Sequence, residues 1–235
     1  MSATLYLIPT TLGECDLNAV LPEKNNIITN KLRHFIVEDV RTARRFLRKV
    51  DRQFPIDDCS FFELNQHTTP EEISKYLQPM ALGNDMGIIS EAGCPAIADP
   101  GADIVAIAQR EDYKVVPLVG PSSILLALMG SGFNGQSFAF VGYLPIDAHE
   151  RAKALKRLES RAIAERQTQL FIETPYRNMK MLEDIVKNCQ SNTLLCIAVD
   201  ITLDTEEIKT KTVGEWKKQY PDLSKRPCIF AIFKG

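Results

Sequence analysis

The sequence predicts an α/β fold, because short apolar segments of strand length alternate with segments in which apolar residues recur at helical spacing. Several of the apolar segments are near-continuous runs, which is typical of strands covered on both faces of a sheet. Glycine and proline mark two points at which such a strand gives way to a helix. The nine predicted strands are residues 4–8, 35–37, 60–63, 86–90, 115–119, 138–143, 169–173, 194–199 and 228–233.

Helices are predicted between the strands, for example where apolar residues recur at 40, 43, 47 and 50. The chain has 235 residues, is 45% hydrophobic and is long enough for two α/β domains. We place the division near residues 118–121. This gives an N-terminal α/β domain at 1–118 and a C-terminal α/β domain at 119–235.

Composition excludes several classes of protein. A net charge of −2 gives no general case for polyanion binding, and the longest apolar runs, at 104–108 and 124–129, are too short to span a bilayer. The six cysteines form no CxxC pair, and His34, His67 and His149 are isolated. No cationic, apolar secretion signal opens the chain. We therefore expect a cytoplasmic protein with reduced thiols, no metal site and no membrane contact.

The fourth predicted strand runs into a loop that we expect to contact a ligand. Gly93 and Pro95 allow the backbone to approach a ligand closely and in a fixed shape. The loop lies at the carboxyl end of a strand, where crevices form in open α/β sheets. Asp99 and Pro100 are predicted as N-cap and first residue of the following helix. A second junction of this type follows the fifth strand, at residues 120–123.

These junctions resemble motifs of the S-adenosylmethionine-dependent tetrapyrrole methylase superfamily. The resemblance rests on residues 90–95, 99–101 and 120–123. Further motifs at 38–41, 141–145 and 172–177 resemble the branch that methylates a ribose 2′-hydroxyl in small-subunit ribosomal RNA. The resemblance implies a two-lobed tetrapyrrole-methylase-like fold with a donor-binding cleft between the lobes, a homodimer, and S-adenosyl-L-methionine as cofactor.

The same resemblance implies which residues surround the methyl donor. They are Pro9, Thr10, Gly93, Cys94, Pro95, Ile97, Ser122, Ser123, Ile172 and Pro227. Departures from the branch include the N-terminal loop at 9–14, Glu91 in place of an aspartate and Cys94 in place of a threonine. We interpret Cys94 as a small lining residue, because no histidine base lies near it in the sequence.

The implied chemistry is an in-line attack on the methyl group of a sulfonium, for which the protein mainly supplies positioning. A ribose hydroxyl is a weak nucleophile, so a carboxylate base is attractive, and Glu38, Asp39 and Glu91 are candidates. The sequence does not choose among them. Asp39, early in a helix, is equally well explained as a cap.

Two helices carry rows of basic residues. Arg41, Arg44, Arg45 and Arg48 lie opposite the apolar face of one helix, which indicates either a solvated face or contacts to RNA phosphates. A second row lies at 151–161, less dense than in the branch. By resemblance, Arg41, Tyr176 and Arg177 bind the substrate.

Three functions remain open at this stage. The first is an RNA ribose 2′-O-methyltransferase with RNA or the small ribosomal subunit as partner. The second is an enzyme that methylates a tetrapyrrole or another small acceptor on the same scaffold, which the near-neutral charge favours slightly. The third is a non-catalytic protein that binds the donor.

Overall fold

The computed structural model describes residues 3–65, 68–73 and 75–234, so that His67 lies outside the described residues. The contacts divide the chain into two compact units, Met1–Ser122 and Ser123–Gly235. This division falls after Ser122, a few residues beyond the one that the sequence suggests.

The first unit holds the strands β1 (Thr4–Ile8), β2 (His34–Val37), β3 (Ser60–Glu63), β4 (Met86–Ile89) and β5 (Lys114–Pro117). Its helices are α1 (Leu17–Val20), α2 (Glu23–Thr29), α3 (Val40–Val50), α4 (Pro70–Ile73), α5 (Gln78–Ala81) and α6 (Gly101–Arg110), with a 3₁₀ turn at Ile56–Asp58. The strands form one parallel sheet in the order β3-β2-β4-β1-β5.

The core of the first unit packs on both faces of this sheet. Ile88 belongs to one apolar cluster and Ile89 to another, as successive residues of a strand point to opposite faces. Both are at most 3% exposed. The near-continuous apolar runs were therefore a valid sign of a sheet covered on both sides.

The second unit holds β6 (Phe138–Tyr143), β7 (Thr168–Ile172), β8 (Leu194–Val199), β9 (Glu207–Thr212) and β10 (Cys228–Phe233). Its helices are α7 (Ser123–Ser131), α8 (Ala148–Ala164), α9 (Asn178–Asn188) and α10 (Val213–Trp216). The strand order is β6-β7-β10-β8-β9, and only the pair β6/β7 is parallel.

The structure corrects the predicted strands in two ways. The strand predicted at 115–119 is Lys114–Pro117, and Pro117, opposite Leu7, is its last residue paired with β1. Strand β9 was not predicted. It alternates lysine and threonine at the edge of its sheet and has no apolar run to signal it.

No helix among the described residues is both long enough and apolar enough to cross a membrane.

Candidate functional site

The carboxyl ends of the parallel strands bring three loops together in the first unit. Ile89 of β4 pairs with Ile8 of β1 on one side and with Val37 of β2 on the other. The residues that follow, Pro9, Glu38 and Ser90, therefore leave the sheet side by side. The chain leaves β2 toward β3 and leaves β4 toward β5, in opposite directions, which is the arrangement that opens a ligand crevice in α/β sheets.

The loop after β4 has an unusual backbone. Gly93, Ala96 and Ala98 all have positive φ, of 73°, 64° and 60°. A Cβ on Gly93 would lie 2.9 Å from Leu12 Cδ2 and 3.1 Å from the carbonyl oxygen of Pro121, so only glycine fits there. Strained backbone of this kind is concentrated at functional sites.

Asp99 closes the loop, although not as predicted. Pro100 occupies the N-cap position of α6, and the helix begins at Gly101, so the predicted N-cap and first helical residue are each one position too early. The Asp99 carboxylate instead accepts hydrogen bonds of 2.8 Å from the amides of Ala96 and Gly101. Burial raises the pKa of Asp99, while these amide bonds oppose the rise.

Backbone contacts join this loop to its neighbours. The Thr10 amide donates to the Gly93 carbonyl at 3.0 Å, and the Cys94 thiol donates to the Pro121 carbonyl at 3.4 Å. Burial raises the pKa of Cys94, so the thiol stays protonated and acts as a lining group. The structure thus brings Thr10, Gly93 and Cys94 together, with the residue that precedes Ser122.

The remaining residues of the implied donor set are placed as follows. Pro95 is buried in the loop and Ile97 is half exposed at its tip. In the second unit, Ser123 begins α7, and Ile172 ends β7 at the same sheet end as Pro227, because Ile172 pairs with Ile229.

The residues of the first unit fit a sulfonium donor. Gly93 lets the loop pack closely against Leu12 and Pro121, and the loop at 90–99 contains two acidic residues and no lysine or arginine. A positively charged ligand therefore meets no like charge from this loop. Among the described residues, no group of three or more metal-ligating side chains occurs.

A pocket of about 510 Å³ lies between the loop after β1 and one face of α3. We call it the α3 pocket. It is lined by Thr10, Thr11, Leu12, Gly13, Glu14, Thr42, Ala43, Arg45, Phe46, Lys49, Ile89, Ser90, Glu91 and Ala92. The Thr42 hydroxyl donates to Glu91 Oε1 at 2.7 Å across the pocket wall. The Thr10 hydroxyl is buried and has no hydrogen-bond partner among the described residues.

The three candidate bases have different surroundings. Asp39 caps α3, since its carboxylate accepts from the Thr42 amide at 2.8 Å, and this bond is the main cause of its lowered pKa. Glu38 is half-buried, and burial raises its pKa, with further contributions from Asp99 and Glu91. Glu91 alone of the three lines the α3 pocket.

The implied substrate residues are separate. Arg41 is exposed near the start of α3. Tyr176 is 83% exposed. Arg177 donates to Glu173 Oε1 through Nε at 2.9 Å and Nη2 at 2.6 Å, and this carboxylate is almost fully buried.

Sequence reasoning missed part of the α3 pocket. Thr42 was not predicted as a site residue, Arg45 was seen only as a member of a basic row, and Lys49, just beyond that row, was given no role. The available signal was the spacing of 42, 45, 46 and 49, which lie on one face of a helix.

The comparison with known proteins assigns the chain to a family. No protein-family model matches it. The ribosomal RNA small subunit methyltransferase I of Leptospira borgpetersenii serovar Hardjo-bovis is 32% identical over 202 residues, which cover 84% of this chain and 76% of the relative. The chain belongs to the ribosomal RNA small subunit methyltransferase I family.

A second member, from Escherichia coli O157:H7, is 29% identical over 231 residues, or 97% of this chain and 77% of that protein. Proteins of the ribosomal RNA small subunit methyltransferase I family are methyltransferases, and their methyl donor is S-adenosyl-L-methionine. The expected enzyme class and cofactor are confirmed.

Solved structures confirm the predicted tetrapyrrole-methylase-like fold. The methyltransferase CobJ aligns with a TM-score of 0.64 at 13% identity, over 99% of this chain and 94% of its own. The cobalt precorrin-4 methyltransferase CbiF aligns with a TM-score of 0.60 at 14% identity, over 98% and 94%.

Proposed function

We propose that this chain transfers a methyl group from S-adenosyl-L-methionine to a ribose 2′-hydroxyl of small-subunit ribosomal RNA. The observation that carries the proposal is the α3 pocket, which adjoins the loop at Gly93 through Thr10 and opens beside the exposed arginines of α3. The names of the relatives support the RNA acceptor.

The donor is proposed to contact Pro9, Thr10, Gly93, Cys94, Pro95, Ile97, Ser122, Ser123, Ile172 and Pro227. When bound, it supplies a methyl group that is already activated by its sulfonium. The protein holds the nucleophile against that methyl group, and the Thr10–Gly93 hydrogen bond fixes the neighbouring loops for this purpose.

Glu91 is the proposed base. It lines the α3 pocket, and the hydrogen bond from Thr42 orients its carboxylate. In this role it would accept the proton of the ribose hydroxyl as that oxygen bonds to the methyl carbon and the bond from this carbon to the sulfur of the donor breaks, which would release the donor as a neutral thioether. Asp39 is better explained as a cap, and Glu38 lies outside the pocket lining.

RNA is proposed to contact the first unit through Arg41 and the second through Tyr176. Arg41 is exposed and makes no ion pair with a described residue, which suits a phosphate contact. Tyr176 exposes a ring on which an unstacked base can lie. Arg177 is proposed to act beside it, although its ion pair with Glu173 already fixes it in place.

We further propose a homodimer in the cytoplasm. Leu125 and Met129, one helical turn apart on α7, are 49% and 77% exposed, which supports contact with a second copy. None of the six cysteines, all of which lie in the described residues, forms a disulfide, which suits a reducing compartment. Sedimentation of the purified protein measures the oligomeric state.

The test of function is incubation with methyl-labelled donor and, in separate reactions, small ribosomal subunits, bulk RNA and tetrapyrroles. We expect label in the RNA of the small subunit, at a nucleotide whose 3′ linkage becomes resistant to alkali. Label in a tetrapyrrole would favour the small-acceptor alternative. Donor binding without labelling of any acceptor would favour the non-catalytic alternative.

A further inference from the structure

The α3 pocket has the size of a small-molecule site. Its volume of about 510 Å³ lies within the ~300–1,000 Å³ that such sites enclose. Proteins recognise RNA sequence mainly at unstacked nucleotides, and enzymes that modify nucleotides commonly take them out of the stack. A pocket of this size therefore suits one nucleotide and not a duplex.

Two cations lie on the pocket side of α3. Arg45 makes no ion pair with any residue that the structure describes, and Lys49 follows it one turn later. Lys49 Nζ lies 2.7 Å from Glu14 Oε1, and the two side chains are 41% and 88% exposed. Exposed ion pairs of this kind are weak, so an entering phosphate group can replace Glu14 as the partner of Lys49.

The lining of the α3 pocket also includes an unsatisfied hydroxyl group. Thr10 is 6% exposed, and its Oγ1 has no partner within the described residues. An unpaired buried hydroxyl costs free energy that a ligand hydroxyl recovers. The Thr10 amide is bonded to Gly93, so this hydroxyl lies where the pocket meets the donor loop.

We propose that the α3 pocket binds a single unstacked ribonucleotide of the acceptor RNA. Arg45 and Lys49 hold its phosphate in place of Glu14, and the Thr10 hydroxyl bonds to its ribose. This inference rests on the proposed function, and it names the part of the RNA that enters the site. It gives the site cations for phosphate and a hydroxyl for sugar.

The direct test measures binding of ribonucleoside 5′-monophosphates, their 2′-deoxy analogues and inorganic phosphate to the full chain, with the donor product present. Arg45→Gln and Lys49→Gln should each weaken ribonucleotide binding about tenfold, because a charged hydrogen bond is lost. Arg110→Gln, an exposed cation on α6, is the matched control and should leave binding unchanged. Thermal unfolding of each variant checks that the fold is intact.

Glu14→Gln should act in the opposite direction. It removes the carboxylate that competes for Lys49, so we expect severalfold tighter binding of the ribonucleotide and a lower KM for RNA. Thr10→Val should reduce the preference for ribonucleotide over deoxyribonucleotide about fivefold, the value of one hydrogen bond. Thr10→Ser should restore that preference.

Two results would overturn the proposal while leaving the proposed function standing. One is methylation of ribosomal RNA by variants at Arg45 and Lys49 with unchanged KM. The other is an active wild-type enzyme that shows no nucleotide binding at millimolar concentration. If the wild-type protein methylates no RNA at all, the proposed function itself fails.

Discussion

Helices α3 and α8 carry similar rows of arginine and lysine, but the structure uses them differently. On α3, Arg41 and Arg45 are exposed and form no ion pair with the described residues. On α8, Arg151 is buried, and its guanidinium contacts Asp184 of α9 through Nε at 2.8 Å and Nη2 at 2.5 Å. The second basic row, which is already less dense in the sequence, therefore includes a residue that the fold uses internally.

The difference teaches that a basic row is evidence of a binding surface only where its charges are not held by a buried partner, as Arg151 is. On α8, Lys153 pairs with Glu150 and Arg161 pairs with Glu165. Lys156 and Arg157 remain exposed. The second unit instead exposes an aromatic ring, that of Tyr176. RNA contacts are thus expected to be ionic in the first unit and to include stacking in the second.

The largest expected effect is on stability at α8. Arg151→Met leaves the Asp184 carboxylate buried with only Lys180, at 3.6 Å, as a cationic partner. We expect the free energy of unfolding to fall by about 3–5 kcal/mol, whereas Arg41→Met should change it by less than ~0.5 kcal/mol. Urea unfolding measures both. The double variant Arg151→Met, Asp184→Leu should recover much of this loss. If Arg151→Met and Arg41→Met lowered the free energy of unfolding equally, the contrast between α8 and α3 would be wrong.

Stacking in the second unit is tested at Tyr176. Tyr176→Ala should weaken RNA binding by about 1–3 kcal/mol with little change in its salt dependence, since stacking releases no counterions. Tyr176→Phe retains the ring and should bind like wild type. Fluorescence anisotropy with a fragment of small-subunit RNA measures the affinity. If Tyr176→Phe also lost affinity, the contact would depend on the tyrosine hydroxyl and not on stacking of the ring.

Ionic contact in the first unit is tested at Arg41. Arg41→Ala should reduce the slope of log affinity against log salt by about 0.7, the value of one contact to single-stranded RNA, while donor affinity stays unchanged. Lys153→Ala on α8 should leave the slope as in wild type, because RNA contact in the second unit is proposed through the ring of Tyr176 and not through Lys153. The comparison between the two helices breaks down if both variants change the slope equally.

The smallest expected effects distinguish the two carboxylates before α3. The pKa of Glu38 is raised in the folded protein, chiefly by burial, so its contribution to stability is full at low pH and is lost as the pH rises through the folded pKa. Glu38→Gln should therefore be more stable than wild type at pH 7, and the difference should shrink toward pH 4.

Asp39 should show the opposite sign. Its pKa is lowered, chiefly by the Thr42 amide, so its contribution is present above the ordinary pKa and is lost as the pH falls through the folded pKa. Asp39→Ala should be less stable than wild type at pH 7 and approach it in acid. Melting temperatures measured across this pH range test both residues. If the two variants changed the melting temperature at pH 7 in the same direction, the environments assigned to Glu38 and Asp39 would be wrong.

Much of the first unit could be predicted from sequence, because its information is local. Apolar runs marked its strands, and Gly93 marked a backbone of positive φ that the structure contains. The N-cap of α6 was misplaced by one residue, because Asp99 uses its carboxylate for the amide of Ala96 as well as for that of Gly101. A cap and a loop closure have the same short sequence pattern.

Contacts between distant residues could not be predicted in this way. Arg151 and Asp184 are 33 positions apart, and Thr42 and Glu91 are 49 apart. Helical spacing shows which side of a helix a residue occupies, but not what packs against that side. For this reason the sequence did not separate α8 from α3, and it left three carboxylates as equal candidates for the base.

Strand β9, which the sequence did not reveal, bears on how an open sheet edge is kept from pairing with other molecules. It is the last strand of its sheet, and its outer backbone offers the hydrogen-bonding groups with which a strand of another molecule could pair. Lys209 and Lys211 lie on this strand, and Lys209 is exposed. Charged side chains on an edge strand disfavour its pairing with a strand of another molecule. The residues that hid the strand from prediction therefore also protect its edge.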